Sequence, residues 1–331
     1  MINMNAPCSS DNRNSTPLIT PRFSTTQCSF NASSNMKMAK INRLFLFFVA
    51  LFFLGTVEAK YSDAWVRQRF PTIFAATEAP DPARCLEKLF RSYEIKKHVQ
   101  VPCDELGALD TCSGLSFASH DDKAIVLVFR GTKGTIQLLV ESEELVYRNK
   151  TQWYGGGQVG FYFARAFNVV WNNGMKDDFN TLRSKYPGYE IWVGGHSLGG
   201  SMAALASNYL VANQLVKSSK IKLVTFGEPR TGNKEFADQH DALVPFSYRV
   251  IHRKDIVPHL PLDGMDGFHH HRNEIWYNND MSTPDFVECD EQEGRNCSDA
   301  ELDWLIKDHH RYFGVYMYYY GARNCTGDPA N

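Results

Sequence analysis

Val193-Gly194-Gly195-His196-Ser197-Leu198-Gly199-Gly200 is the stretch on which the fold of this chain turns. It follows an apolar, strand-like run at Tyr189–Val193. It precedes a predicted helix from about Leu198 to Val216 that opens on small residues: Gly199, Gly200, Ser201, Ala203, Ala204 and Ala206. G-x-S-x-G between a strand and a helix puts the serine at the tip of a sharp turn. Such a turn strains the serine backbone, and glycines two residues to either side let the chains pass closely. The helix that follows offers unpaired N–H groups and positive potential where an oxyanion would develop. A phosphate loop is the competing reading, but the stretch contains neither G-K-[ST] nor G-x-G-x-x-G. Ser197 is therefore the candidate nucleophile. His196 reads as a packing residue, because neighbouring side chains at such a turn point apart.

A serine hydroxyl needs a histidine to take its proton, and that histidine needs an acid to hold its tautomer. Where the nucleophile sits on a strand-to-helix elbow, the chain order is serine, acid, histidine. Downstream of Ser197, the strand-like run Phe246–Ile251 ends just before Asp255, in a tight segment closed by Ile256-Val257-Pro258. Asp241, Asp263 and Asp266 lie in polar loops without a strand to aim them and read as solvated surface. His252 stands too close before Asp255 to fit the order. His269-His270-His271 resembles a metal tract. On extended chain, however, only His269 and His271 would share a side, so the tract is read as structural, with no metal and no cofactor. The remaining base candidates are His309 and His310, and the doublet leaves the choice open.

Working outward, Lys123–Arg130 is a continuous apolar run closed by Gly131, as expected of a strand buried on both faces. Gln158 to Tyr186 reads as one long helix, with Phe161, Phe163, Ala164, Phe167, Val170 and Trp171 on its apolar face and a break at Asn172-Asn173-Gly174. Ile221–Phe226 is a further strand. Alternating strands and helices predict an α/β fold: a central, mostly parallel sheet with helices on both faces.

The 331 residues are 43% hydrophobic and 22% charged, enough to bury a large core. Lys and Arg number 35 against 37 Asp and Glu, a formal charge of -2, so no basic field exists to hold nucleic acid. Residues 1–35 are rich in Ser, Thr, Asn and Pro and are expected to be disordered or an artefact of the gene model. Residues 36–59 combine a basic start (Lys37, Lys40, Arg43), the apolar run Leu44–Leu54 and small residues before a cut after Ala59. They read as a secretory signal, too short for a membrane span. Residues 60–331 are then a single mature domain, secreted.

Cysteine usage agrees. Cys8 and Cys28 precede the cut, which leaves Cys85, Cys103, Cys112, Cys289, Cys297 and Cys325. An even number without a C-x-x-C pair points to disulfides in an oxidising compartment. Six cysteines allow 15 pairings; short loops favour Cys103–Cys112 and Cys289–Cys297, leaving Cys85–Cys325. Asn149-Lys150-Thr151 is a glycosylation sequon. Those at Asn296 and Asn324 each carry a cysteine in the middle.

Gly194–Gly200, the Arg130-Gly131-Thr132 turn, Phe226-Gly-Glu-Pro-Arg-Thr-Gly-Asn233, Asp255-Ile-Val-Pro258 and Asp308-His309-x-x-Tyr312-Phe313-Gly314 together resemble, in order and spacing, the class 3 (filamentous-fungal type) lipases. These belong to the α/β-hydrolase superfamily, and the likeness spans about Cys85 to Cys325. The resemblance implies Asp255 as acid and His309 as base, with His310 at a variable position. It implies an oxyanion hole at Thr132 and Leu198 and the same three disulfides. It also implies a short lid at Lys133 to about Glu143, where Ile136, Leu138, Leu139 and Val140 would turn toward lipid. The expected function is hydrolysis of carboxylic esters of lipids, foremost triacylglycerol, at an oil–water or membrane interface. The alternatives are a phospholipase and a catalytically inert lipid-binding protein.

Overall fold

The computed structural model describes residues 60–103, 111–130 and 147–331. Thr132, the expected lid at Lys133–Glu143 and the expected signal at 36–59 lie outside the described residues. Helix α1 (Asp63–Ala76) and a short α2 (Ala83–Leu86) lead into strands β1 (Tyr93–Pro102), β2 (Thr111–Ser119) and β3 (Ala124–Arg130). After β4 (Lys150–Gln152) and β5 (Gln158–Gly160) come α3 (Phe161–Val170) and α4 (Lys176–Lys185). Strands and helices then alternate through β6 (Glu190–His196), α5 (Leu198–Ala212), β7 (Ile221–Phe226), β8 (Gly232–Asn233), α6 (Lys234–Leu243) and β9 (Ser247–His252). The chain finishes with β10 (Phe268–His269), β11 (Glu274–Tyr277), β12 (Val287–Cys289), α7 (Ile306–His309) and α8 (Met317–Ala322).

Eight strands form one sheet in the order β1-β2-β3-β6-β7-β9-β11-β12. Its middle, from β3 to β11, is parallel; β1, β2 and β12 pair antiparallel at the margins. A strand sends alternate side chains to opposite faces, and β3 shows what that does to the apolar run Ala124–Phe129. Ile125, Leu127 and Phe129 enter one apolar cluster, with Phe163 and Phe167 of α3 and Leu198 and Met202 of α5. Ala124, Val126 and Val128 enter the other, with Val66, Phe70 and Phe74 of α1 and Met317 and Tyr320 of α8. The expected α/β-hydrolase layering, helices on both faces, follows from that alternation. Cys85–Cys325 ties α2 to the chain after α8, and Cys103–Cys112 and Cys289–Cys297 close short loops. Among the described residues, no helix is long and apolar enough to cross a membrane.

The expected single helix over Gln158–Tyr186 is corrected. Gln158–Gly160 is β5, paired with β4 and with Gly232 of a small second sheet. Trp171–Met175 breaks the helix, with Asn173 and Gly174 (φ 133°) outside helical backbone. The break at Asn172-Asn173-Gly174 was legible. The start was not, because three residues are too few to show a strand period: they pair with the equally short β4 and, through Val159, with Gly232. Helix α5 likewise stops at Ala212 rather than Val216.

Candidate active site

Strand β6 ends at His196 and α5 begins at Leu198, so Ser197 must reverse the chain alone. It does so at φ 59°, ψ -130°, a conformation that costs on the order of 1–3 kcal/mol in a non-glycine residue. Two bonds hold it there: Ser197 N–H donates to the Phe226 carbonyl at 2.9 Å, and Gly200 N–H to the Ser197 carbonyl at 2.8 Å. The flanking glycines answer to contact. A Cβ on Gly195 would stand 2.2 Å from the Gly199 carbonyl oxygen, and one on Gly199 would stand 2.2 Å from that of Phe129. Ser197 is only 7% exposed. Its hydroxyl makes no capping bond to α5, and the N–H groups of Leu198 and Gly199, ahead of the Gly200 bond, have no carbonyl of the helix to reach.

The acid and base arrive from the other end of the fold. Asp255 follows β9 through a tight turn, with its N–H on the His252 carbonyl at 3.0 Å. His309 ends α7, which is anchored where Leu305 N–H donates to the Lys254 carbonyl at 2.6 Å. The two side chains meet fully buried. His309 Nδ1 lies 2.8 Å from Oδ2 and 3.0 Å from Oδ1 of Asp255. A carboxylate accepts, so Nδ1 carries the proton and Nε2 presents the lone pair. Both His309 Nε2 and Ser197 Oγ are buried without a hydrogen-bond partner among the described residues.

Asp255 also receives the Tyr312 hydroxyl on Oδ2 at 2.5 Å and the Val257 N–H on Oδ1 at 2.9 Å. Burial pushes its carboxyl up, but the His309 ring and these donors outweigh that, and it sits below its ordinary value. Burial, reinforced by Asp255, pushes the Tyr312 hydroxyl well above the usual phenol range, so it remains a donor.

Of the doublet, His309 reaches Asp255; His310 is half-buried with its ring stacked on Tyr316. Asp263 and Asp266 are exposed, and Asp241 accepts from Arg272 N–H and Gln292. His270 and His271 are both buried, bonded to the Pro258 carbonyl and the Ser247 hydroxyl. Asp263, His269 and Glu293 place ligand atoms within 4.8 Å of one another. Glu293, however, is engaged by the Arg230 guanidinium and the His270 N–H.

Three contributors escaped the sequence reading. Tyr312 had its signal in the spacing, three residues past His309. Gly227 (φ 56°) leaves the space in which a Cβ would stand 2.8 Å from Asp255 Oδ2 and from the His309 ring. His196, read as packing, instead lays its ring on that of His309, centroids 4.3 Å apart, and bonds the His309 carbonyl at 2.8 Å. Its signal was only its place next to Ser197.

Sheet order, elbow and layered helices define the α/β-hydrolase class. Comparison with known proteins narrows this further. The family model described as Lipase (class 3) matches residues 126–265. Lipase ZK262.3 of Caenorhabditis elegans is 34% identical over 310 residues, 83% of this chain and 85% of that protein. The lipase of Rhizopus niveus is 31% identical over 214 residues, 62% of this chain and 52% of that protein. The solved lipase of Rhizopus microsporus var. chinensis superposes with a TM-score of 0.65 at 26% identity, covering 78% of this chain and 90% of that one. The chain belongs to the class 3 lipase family, and it is a carboxylic ester hydrolase.

Proposed function

We propose that Ser197, Asp255 and His309 are the catalytic triad of a secreted acylglycerol lipase. Ser197 Oγ attacks the ester carbonyl as His309 Nε2 takes its proton, and Asp255 steadies the imidazolium that forms. The oxyanion is received by the Leu198 N–H and by Thr132. His309 returns the proton to the leaving alcohol, and water, activated the same way, releases the fatty acid. The observation that carries this reading is the buried His309–Asp255 contact, with His309 Nε2 and Ser197 Oγ both buried and uncommitted to any other hydrogen bond among the described residues.

Three disulfides support an oxidising destination, and with it a signal at 36–59 cleaved to leave 60–331 as the mature domain. Asn149 is exposed and is the proposed glycan acceptor; an endoglycosidase mass shift abolished by Asn149→Gln checks it. The apolar residues of 133–143 support presentation of substrate at a lipid interface.

The decisive assay is fatty-acid release from emulsified triacylglycerol and from phospholipid vesicles, wild type against Ser197→Ala. The variant should lose at least about 10⁴-fold in turnover, and equal release by both proteins would end the reading. Release from the vesicles alone would move the substrate to phospholipid.

A further inference from the structure

The two histidines at the C-terminal ends of β6 and β9 reach the same short helix. His252 Nδ1 lies 2.9 Å from the Asp308 carbonyl oxygen, and His196 Nε2 lies 2.8 Å from that of His309. A carbonyl only accepts, so each imidazole donates and its tautomer follows: Nδ1–H on His252, Nε2–H on His196. The carbonyls of Asp308 and His309 close the last turn of α7, where a helix has no N–H of its own to offer.

Helix α7 has little else to define it. It is four residues long, and its N-cap, Leu305, provides no side-chain bond. A helix of that length does not stand alone in water. Its start is anchored by the Leu305 N–H on the Lys254 carbonyl, and Lys254 N–H reaches the Asp308 carboxylate at 3.3 Å, but the carbonyls at the end that carries the base are held by the two imidazoles. Asp255 grips the ring of His309 at Nδ1 only; the orientation of the backbone behind that ring is set elsewhere.

We propose that His196 and His252 are positioning residues, a pair of imidazole donors that clamp consecutive carbonyls of α7 and so fix where His309 presents Nε2 to Ser197. His196 adds a second restraint by covering one face of the His309 ring. Burial, reinforced by His309, holds His196 well below its usual value, so it brings no second charge beside the imidazolium formed in turnover. The inference rests on the triad reading above.

The test separates donor from ring. Phe keeps a ring and loses the N–H; Gln places an amide nitrogen where His Nε2 stands, and Asn places one where His Nδ1 stands. On a soluble p-nitrophenyl ester, His196→Phe and His252→Phe should each lower kcat about tenfold or more while KM stays within about twofold, the mark of a displaced base. His196→Gln and His252→Asn should recover most of that loss. Rates are taken per active site, from the end point of titration with a phosphonate that labels a reactive serine, and Tm is followed alongside. Should a Phe variant not fold, His→Ala at the same position carries the same expectation. Wild-type kcat in the donor-less variants, a loss confined to Tm, or no recovery with the amides overturns the clamp. Turnover that survives Ser197→Ala removes the triad reading itself; a dead Ser197→Ala beside unaffected clamp variants removes the clamp alone.

Discussion

The Tyr312 hydroxyl donates to Oδ2 of Asp255 at 2.5 Å, onto the same oxygen that lies nearest His309 Nδ1. One buried carboxylate oxygen thus serves two donors, and the phenol settles how much negative charge remains for the imidazole. Tyr312→Phe removes a hydrogen bond to a charged group, which is expected to cost about 1.5–3 kcal/mol. Both Tm and kcat should fall, kcat by about tenfold, with the ring packing on Phe226 kept. A Tyr312→Phe enzyme with unchanged kcat and Tm would show that Asp255 does not need the second donor.

Gly227 offers a sharper test of how tightly the pair is packed. Its φ is 56°, and a Cβ there would press on Asp255 Oδ2 and the His309 ring at 2.8 Å. Gly227→Ala forces either the backbone or the His309–Asp255 contact to give way. The backbone term alone is on the order of 1 kcal/mol, a modest drop in Tm. The larger expected effect is on turnover, roughly 10²-fold, because displacing a base by a fraction of its hydrogen-bond length is enough. A stable Gly227→Ala with full kcat would contradict the packing.

How much of this could be read beforehand depends on how local each signal is. Ser197 was legible because strand, turn glycines and small-residue helix lie within twenty consecutive positions, and the β3 run was legible because burial on both faces leaves Ala124–Phe129 without a polar residue. Asp255 followed from chain order and the strand before it. The doublet His309-His310 was not separable by the same reasoning, since both stand past the same segment; the turn of α7 and the burial beside Gly227 select between them. His196 was set aside as a packing residue and His252 as standing too close before Asp255 to be the base; the contacts they make belong to no motif. Each acts on a backbone carbonyl more than 50 positions away, which only the assembled sheet brings near. β5 was lost for a different reason: Phe163 and Phe167 just after it set a helical period, and three residues are too few to show a strand period of their own.

Acid should weaken the fold in two stages, and the sign follows from which state binds protons. Burial holds His196, His240 and His270 well below their ordinary value of 6.5. The unfolded chain takes up those protons first as pH falls, so stability is full above about 6.5 and declines below it by up to about 1.4 kcal/mol per pH unit for each imidazole. Asp255, held below its ordinary 3.8 mainly because His309 and its hydrogen-bond donors outweigh burial, adds a second stage. Its contribution is present above that value and is lost as pH drops through its folded one. Melting curves from pH 8 to 3 check both stages. A Tm that stays level between pH 7 and 5 would mean that these imidazoles are protonated without cost in the folded protein.

The disulfide between Cys85 and Cys325 spans 240 residues and fastens α2 to the chain that follows α8. It closes most of the described chain into one loop, so its chief effect falls on the unfolded state, where a cross-link of that span is worth about 5–6 kcal/mol in the chain-entropy picture. Neither cysteine touches the His309–Asp255 pair. The Cys85→Ser, Cys325→Ser double variant should therefore melt well below the wild type yet keep kcat within about twofold at a temperature where both are folded, since a constraint on the unfolded chain leaves native geometry in place. Thermal melts paired with turnover at 20 °C read the two quantities separately. Loss of kcat in a fully folded double variant would mean that the tie also shapes the sheet face on which α1 and α8 pack, through which Phe226 and Tyr312, both in that cluster, would feel the change.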